Sequence, residues 1–318
     1  MSETLLGAAE SLYAAAWEAR RSAYARGWLK PRAVPARVVS IGNLSVGGAG
    51  KTTLTLHLAL VARARGVRAA VVARNYRPGP AGAGDEGLLY ARALEPGDTF
   101  VGKSKTALAA AAAAAGCHLV LVDDGFSTWG LERDLDLVLL DSQDLWGGSH
   151  LLPRGRLREP RRALQRADVV IVSRLARDQD PAPLLAEAKR YAPGALLAAG
   201  RHRVRGLSTL AGEPLDGVAR AWILTATGNP GAVERSAREA GVDVAGRSTF
   251  RDHHWFGAAE VAREQRRAEA ARATLLLTAK DAVRWPRGVP AGGAAVLDVE
   301  WEWVCGGREV EAGVLEGR

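Results

Sequence analysis

Short β-rich runs recur along the chain at Val38–Ile41, Ala69–Ala73, Leu119–Val122, Leu137–Leu140, Val169–Val172, Ile223–Thr225 and Leu275–Thr278, separated by stretches with helical periodicity. That alternation restricts the fold to a parallel α/β sheet. The run Leu119-Val120-Leu121-Val122 is apolar at every position, as a strand must be when helices cover both faces of its sheet. In such sheets ligands collect beyond the carboxyl ends of the strands. Pro193-Gly194 and the basic segment Arg201-His202-Arg203-Val204-Arg205 interrupt the series before strand and helix patterns restart, which sets a boundary near residue 200.

The first run leads into Asn43-Leu44-Ser45-Val46-Gly47-Gly48-Ala49-Gly50-Lys51-Thr52-Thr53 and then a helical pattern from Leu54. A strand, a glycine-rich loop and a helix start in this order form a phosphate cradle. Glycines at 47, 48 and 50 let successive N–H groups converge on phosphate oxygens, Lys51 reaches the β/γ-phosphates, and the Thr52 hydroxyl can ligate Mg²⁺. The positive end of the following helix faces the anion. The usual spacing asks for glycine where Ser45 stands, so Gly47-Gly48 must supply the tight turn. Residues 45–53 form the expected nucleotide-binding set, and the fold class is a P-loop NTPase-like parallel sheet domain with a second, smaller α/β domain. The corresponding division is an N-terminal amphipathic segment at 1–35, a P-loop domain at 36–200 and an α/β domain at 201–318.

With 318 residues, 47% hydrophobic and 25% charged, the chain has ordinary globular composition. A net charge of +8 suits an acidic partner such as phosphate, nucleic acid or an anionic membrane, or reflects genomic bias toward Arg, Ala and Gly. Cys117 and Cys305 lack any near cysteine or metal-ligand spacing, which argues against a disulfide framework and fits a reducing cytoplasm. The alanine stretch 107–115 is a helix former, too weakly hydrophobic to span a bilayer. Leu5, Leu6, Ala9, Leu12, Tyr13, Ala16, Trp17, Tyr24 and Trp28 recur at helical spacing beside Arg20, Arg21 and Arg26. Such an amphipathic helix either lies on an anionic membrane surface or packs on the protein's own core.

Four further segments carry polar chemistry. Asp123-Asp124-Gly125-Phe126 follows a strand at the nucleotide end of the sheet, where a carboxylate can hold Mg²⁺, or simply forms a solvated turn. Asp85 and Glu86 suit the start of a helix. Asp252-His253-His254 has no third metal ligand at useful spacing. Residues 151–162 are broken by prolines and rich in arginine, which suits either phosphate or solvent.

Taken in order, these segments resemble the tetraacyldisaccharide 4′-kinases over nearly the whole chain. The resemblance runs through Ser40–Thr52, Gly84-Asp85-Glu86, Asp123-Asp124-Gly125-Phe126, Arg133-Asp134-Leu135-Asp136, Leu151-Leu152-Pro153, Leu157-Arg158-Glu159-Pro160, Gly228-Asn229-Pro230, Asp252-His253 and Lys280-Asp281-Ala282-Val283. It implies MgATP-dependent transfer of the γ-phosphoryl group to the 4′-hydroxyl of a tetraacylated glucosamine disaccharide 1-phosphate in lipid A biosynthesis. The enzyme would sit in the cytoplasm on the inner face of an anionic inner membrane, with an acylated disaccharide phosphate lipid as partner and no nucleic acid.

The same resemblance assigns Lys51 and Thr52 to phosphate and Mg²⁺, and Asp123 and Asp124 to the metal. It pairs Asp85 with His253, placed opposite each other and brought together by domain closure, with the carboxylate taking the proton of the acceptor hydroxyl. Substrate contacts are implied at Asn43, Arg74, Arg158 and Glu159. The chain departs from the family pattern at Arg74-Asn75-Tyr76-Arg77, Ser104-Lys105, Ser127-Thr128 and Ala279, changes that bear on acceptor recognition. Three rival readings are a P-loop kinase of a different lipid or sugar acceptor, a nucleotide-dependent switch GTPase, against which Thr278-Ala279-Lys280-Asp281 lacks the guanine-reading Asn-Lys-x-Asp spacing, and a noncatalytic lipid-binding relative.

Overall fold

A computed structural model describes residues 3–80 and 82–316. The chain divides into two compact units, one containing Met1–Arg74, Leu94–His202 and Trp301–Arg318, the other Asn75–Ala93 and Arg203–Glu300. In chain order the first stretch holds α1 (Glu3–Ala25), β1 (Arg37–Asn43), α2 (Lys51–Ala64), β2 (Ala69–Arg74), α3 (Asp85–Ala93), β3 (Thr99–Gly102) and α4 (Lys105–Ala114). There follow β4 (Leu119–Asp123), β5 (Leu135–Asp141), a 3₁₀ turn at Arg161–Arg166, β6 (Val169–Ser173), α5 (Ala182–Lys189) and β7 (Leu196–Thr209). The remainder is β8 (Arg220–Thr225), α6 (Pro230–Glu239), β9 (Asp243–Thr249), α7 (Ala258–Ala270), β10 (Thr274–Thr278), α8 (Ala279–Ala282), β11 (Ala295–Cys305) and α9 (Gly307–Leu315).

The first unit orders its strands β3-β2-β4-β1-β5-β6-β7, and the pairs β2 with β3 and β4, β1 with β4 and β5, and β6 with β5 and β7 are all parallel. Val38, Val39 and Ile41 on β1 and residues 119–122 on β4 are buried, as full coverage of both faces requires. The register sets Ile41 beside Asp123 and Asn43 beside Leu139, so the glycine-rich loop and the Asp123-Asp124 turn leave adjacent strands at the same edge. Gly42 and Gly125 permit that approach: a Cβ on Gly42 would collide with Phe126, and one on Gly125 would lie 2.7 Å from the Ser40 Cβ.

In the second unit β10 pairs in parallel with both β11 and β8, and β8 with β9 across an irregularity at Ala221/Trp222. Its core gathers Ile223, Leu276, Ala295 and Leu297 on one side and Leu224, Phe256, Val261 and Leu277 on the other. The α/β class is as the sequence indicates. Continuous domains at 36–200 and 201–318 differ from the observed division: the boundary near 200 falls inside β7, residues 75–93 group with the second unit, and 301–318 group with the first. The basic segment 201–205 is a strand, not a linker. It was disguised because β7, like β9, is only partly buried and so admits polar residues.

Helix α1 packs on the core of its own unit along one side and leaves apolar side chains exposed on another. Trp17 is buried with Leu44, Phe126, Trp146 and Leu164, the Tyr13 hydroxyl donates to the Arg158 carbonyl at 2.8 Å, and Glu10 accepts the Leu151 N–H at 2.7 Å. Leu5 and Leu12, two turns apart, are exposed, Leu12 by 74%.

Candidate active site

The loop between β1 and α2 is held open by its neighbours. Gly47 and Gly50 take φ of 118° and 81°, in the left-handed region that only glycine enters freely. The Val46 N–H donates to the Arg156 carbonyl at 2.7 Å, Ser173 Oγ donates to the Ala49 carbonyl at 2.9 Å, and Arg174 Nη1 donates to the Gly48 carbonyl at 2.9 Å. With those carbonyls tied down, residues 45–53 present a fixed cradle. Lys51 Nζ donates to Asn43 Oδ1 at 2.9 Å and lies 3.5 Å from Asp124 Oδ1.

Asp123 ends β4 buried, and Asp124 follows at φ 52°. Arg158 Nη1 donates to Asp124 Oδ2 at 2.7 Å, and Lys105 Nζ donates to the Asp124 backbone carbonyl at 2.5 Å. Three cations therefore converge on one residue. Burial alone raises the Asp124 carboxyl, but Lys51, Arg158 and Lys105 outweigh it and hold the group well below the usual carboxylate range. Burial pushes the Lys105 ammonium down, against the pull of Asp124 and Asp123. Such a cluster, emptied of water by an arriving polyphosphate, has the charge to hold it.

In the second unit Asp85, the first residue of α3, is buried. His253 Nδ1 lies 2.9 Å from Asp85 Oδ2, and Arg284 Nε donates to the same oxygen at 2.8 Å. Lys280 Nζ is 3.8 Å away and pairs with Glu86 at 3.0 Å. Burial by itself raises the Asp85 carboxyl, yet the hydrogen bond from His253 and the charges of Lys280 and Arg284 hold it well below the carboxylate range. The His253 ring meets Tyr76 edge-on at 5.2 Å and lines a cavity of about 490 Å³ with Arg77, Arg251, Asp252, His254 and Trp255.

A phosphate loop in one unit and a histidine–aspartate pair beside a cavity in the other fit a phosphotransferase with a hydroxyl acceptor. The family model for tetraacyldisaccharide-1-P 4′-kinase matches residues 2–312. The chain belongs to the tetraacyldisaccharide 4′-kinase family. It is 39% identical over 311 residues to the tetraacyldisaccharide 4′-kinase of Anaeromyxobacter sp. (strain Fw109-5), covering 87% of this chain and 81% of that protein. It is 34% identical over 324 residues to the one from Halorhodospira halophila, covering 96% and 90%. The fold matches a crystal structure described as the "apo" form of LpxK from Aquifex aeolicus in complex with ATP, with a TM-score of 0.72, 23% identity and 96% of each chain covered. The chain is thus a kinase of lipid A biosynthesis, using ATP to phosphorylate the 4′-hydroxyl of the acylated disaccharide phosphate.

In this tetraacyldisaccharide 4′-kinase the residues expected from sequence fall into two groups, one in each unit. Lys51, Asp123, Asp124 and Arg158 cluster at one edge of the first unit's sheet. Asp85 and His253 meet inside a single unit, so no domain closure is needed to form the pair. Asn43 is buried and spends its amide on Lys51 and the Ser45 carbonyl, which makes it a holder of the lysine. Glu159 is buried with its oxygens taken by Ser127 at 2.7 Å and by Arg166, bracing the loop after Asp123. Arg74 is exposed at the end of β2 and joins neither cluster.

Sequence reasoning missed Lys105 and Arg284. Lys105 had one signal: a lysine opening a helix opposes the helix dipole and needs a nearby anion. Arg284 had none, because an arginine in the turn just after a short helix reads as solvated.

Proposed function

We propose that His253 and Asp85 activate the 4′-hydroxyl of the acceptor while the β1–α2 loop, Lys51, Lys105 and Arg158 hold the triphosphate of ATP. The observation that carries this reading is the 2.9 Å contact between His253 Nδ1 and Asp85, beside a cavity of about 490 Å³. A carboxylate surrounded by His253, Lys280 and Arg284 is a weak base. Asp85 accepting the Nδ1 proton leaves Nε2 with its lone pair, so the histidine rather than the carboxylate receives the hydroxyl proton. As the hydroxyl oxygen bonds to the γ-phosphorus, the bond to the β,γ-bridging oxygen breaks, ADP leaves, and Lys51 faces the developing charge.

Mg²⁺ fits the donors present, since it needs few protein ligands besides phosphate oxygens and water. Asp123 and Thr52 are the residues that would hold it, for the Asp124 carboxylate is engaged with Arg158 and Lys51. Bound there, the ion would neutralise charge on the phosphates.

The exposed side of α1 and the turn after it support a peripheral seat on an anionic membrane: Leu5 and Leu12 on the helix and Trp28 and Leu29 beyond it are exposed, and Arg26 stacks over Trp28 at 5.1 Å. Among the described residues no helix is long and apolar enough to cross a membrane. The test is incubation with MgATP and tetraacyldisaccharide 1-phosphate, with mass detection of one added phosphate. Wild type should convert the acceptor, and His253→Ala should slow single-turnover transfer while leaving ATP affinity intact. Equal loss of ATP affinity and turnover in that variant would move His253 out of acceptor activation.

A further inference from the structure

Arg284 is 1% exposed, among the largest fully buried side chains of the protein. A guanidinium does not lose its charge inside a protein, so it is tolerated there only among anions and acceptors that satisfy it. Nε and Nη2 both donate to Asp85 Oδ2, the first at 2.8 Å. Nη1 donates to Asp281 Oδ1 at 3.2 Å and to the Ala226 carbonyl at 2.8 Å. The same Ala226 carbonyl accepts the backbone N–H of His253 at 3.2 Å. One side chain thus grips the carboxylate of Asp85 and, through a shared carbonyl, the backbone of His253.

His253 needs that hold, since its φ of 63° is a conformation that residues with side chains adopt at a cost. Asp281 is itself locked, accepting Thr225 Oγ1 at 2.8 Å, Thr278 Oγ1 at 2.7 Å and the Ala226 N–H at 2.9 Å. Asp85, Arg284, Asp281, Ala226 and Thr225 are all buried, so this part of the contact chain cannot relax by exchanging with water.

We propose that Arg284 is the positioning residue of the acceptor-activating pair: it keeps Asp85 a standing anion in fixed orientation, so that the acceptor's proton goes to His253. The inference rests on the reading of Asp85 and His253 given above. The charged and titratable groups around the pair are Asp252 at 3.7 Å from His253 Nε2, Tyr76 against the ring, Arg77 donating to the Asp252 carbonyl at 3.0 Å, Arg251 in the same cavity, and Lys280 with Glu86 beside Asp85. Unlike any of these, Arg284 both touches Asp85 and shares an acceptor with His253.

The experiment measures single-turnover transfer from MgATP to tetraacyldisaccharide 1-phosphate across pH 5–9 for wild type, Arg284→Lys, Arg284→Gln and His253→Ala. Arg284→Lys retains the charge but not the fork, so the chemical step should slow about tenfold or more while KM for both substrates stays within about twofold. Its acidic limb should stay in place. Arg284→Gln removes a cation, which makes protonation of the pair easier, so its acidic limb should move up by about half a pH unit or more.

A folded variant with a wild-type chemical step, an unmoved limb in Arg284→Gln, or losses confined to KM for ATP would overturn the proposal. If Arg284→Gln does not fold, the split between kcat and KM in Arg284→Lys decides. If neither folds, Arg284 is a core support and the proposal fails. Near-normal transfer by His253→Ala would instead overturn the underlying reading, whereas an inactive His253→Ala beside unaffected Arg284 variants would overturn this inference alone.

Discussion

Asp124 and Asp85 are two aspartates with equal numbers of basic neighbours and different degrees of freedom. Each is held well below the carboxylate range by basic groups, three in each case: Lys51, Arg158 and Lys105 around the first, His253, Lys280 and Arg284 around the second. The Asp124 side chain is 38% exposed and the Asp85 side chain 3%. A partly exposed pair can exchange with water or an incoming phosphate, whereas a fully buried pair is fixed by the fold around it. The cations at Asp124 are therefore available to a triphosphate. Those at Asp85 are committed to holding a geometry.

The largest expected effect separates the two directly. Asp85→Asn should slow the chemical step by about 10²–10⁴-fold with ATP affinity nearly unchanged, while Asp124→Asn, by removing the anion that competes with phosphate for Lys51 and Arg158, should tighten ATP binding several-fold and slow the chemical step by less than about tenfold. Rapid-quench kinetics with ATP titration measure both, and interchangeable phenotypes would erase the distinction. Lys51→Ala should lower phosphoryl transfer about 10²–10³-fold in a folded protein, since it removes a charge that faces the transition state. Near-normal turnover there would mean that Lys105 and Arg158 suffice.

Binding to anionic vesicles should fall about tenfold in a Leu12→Ser/Trp28→Ser double variant, with ATP affinity preserved. Deletion of α1 is the wrong test, because Trp17 and Tyr13 belong to the fold of the first unit. Unchanged flotation with vesicles would leave α1 a packing helix only.

The smallest effect concerns acid. His202, packed against Gly50, is pushed down to about 4 by burial, with Arg174 adding to the shift. The unfolded chain takes up this proton near pH 6.5 and the folded one only near 4, so stability declines as pH falls from 6.5 to 4. Asp85 acts in the same direction in a lower window: its folded carboxyl is depressed too, so its contribution is full above about pH 4 and drains only below that. Thermal melts from pH 7 to 3 should show His202→Gln flattening the upper window and Asp85→Asn the lower one. If His202→Gln leaves the upper window unchanged, the buried histidine is not the acid-sensitive group.

The contrast also governs what the sequence makes legible. The phosphate loop is contiguous, and its neighbour Asp123-Asp124 closes an apolar strand, so local pattern places both. The seven strands found from sequence are the well-buried ones. β3, β7, β9 and β11 escaped because partial burial lets charged and small residues into them. Around Asp85 the information is not local at all. Arg284 lies 199 positions away and His253 168, and neither residue type has a surrounding pattern that reports burial. Family resemblance joined Asp85 to His253 but put them on opposing domains, a misplacement that follows from treating residues 75–93 as part of the unit that flanks them in sequence.

That excursion sets the order in which the enzyme can be made. Between β2 and β3 the nascent chain lays down Asp85, and about two hundred further residues must leave the ribosome before its arginine exists. The first unit is unfinished for longer still, because Arg37 at the start of β1 donates to the carbonyls of Gly313 at 2.6 Å and Val314 at 3.1 Å, on α9. Contacts of such long sequence separation form late and slowly. A ribosome-stalled chain ending before residue 284 would carry a complete phosphate loop sequence and no supported acceptor pair. On the role proposed for that pair, a chain terminated early would lack the arginine that holds its carboxylate.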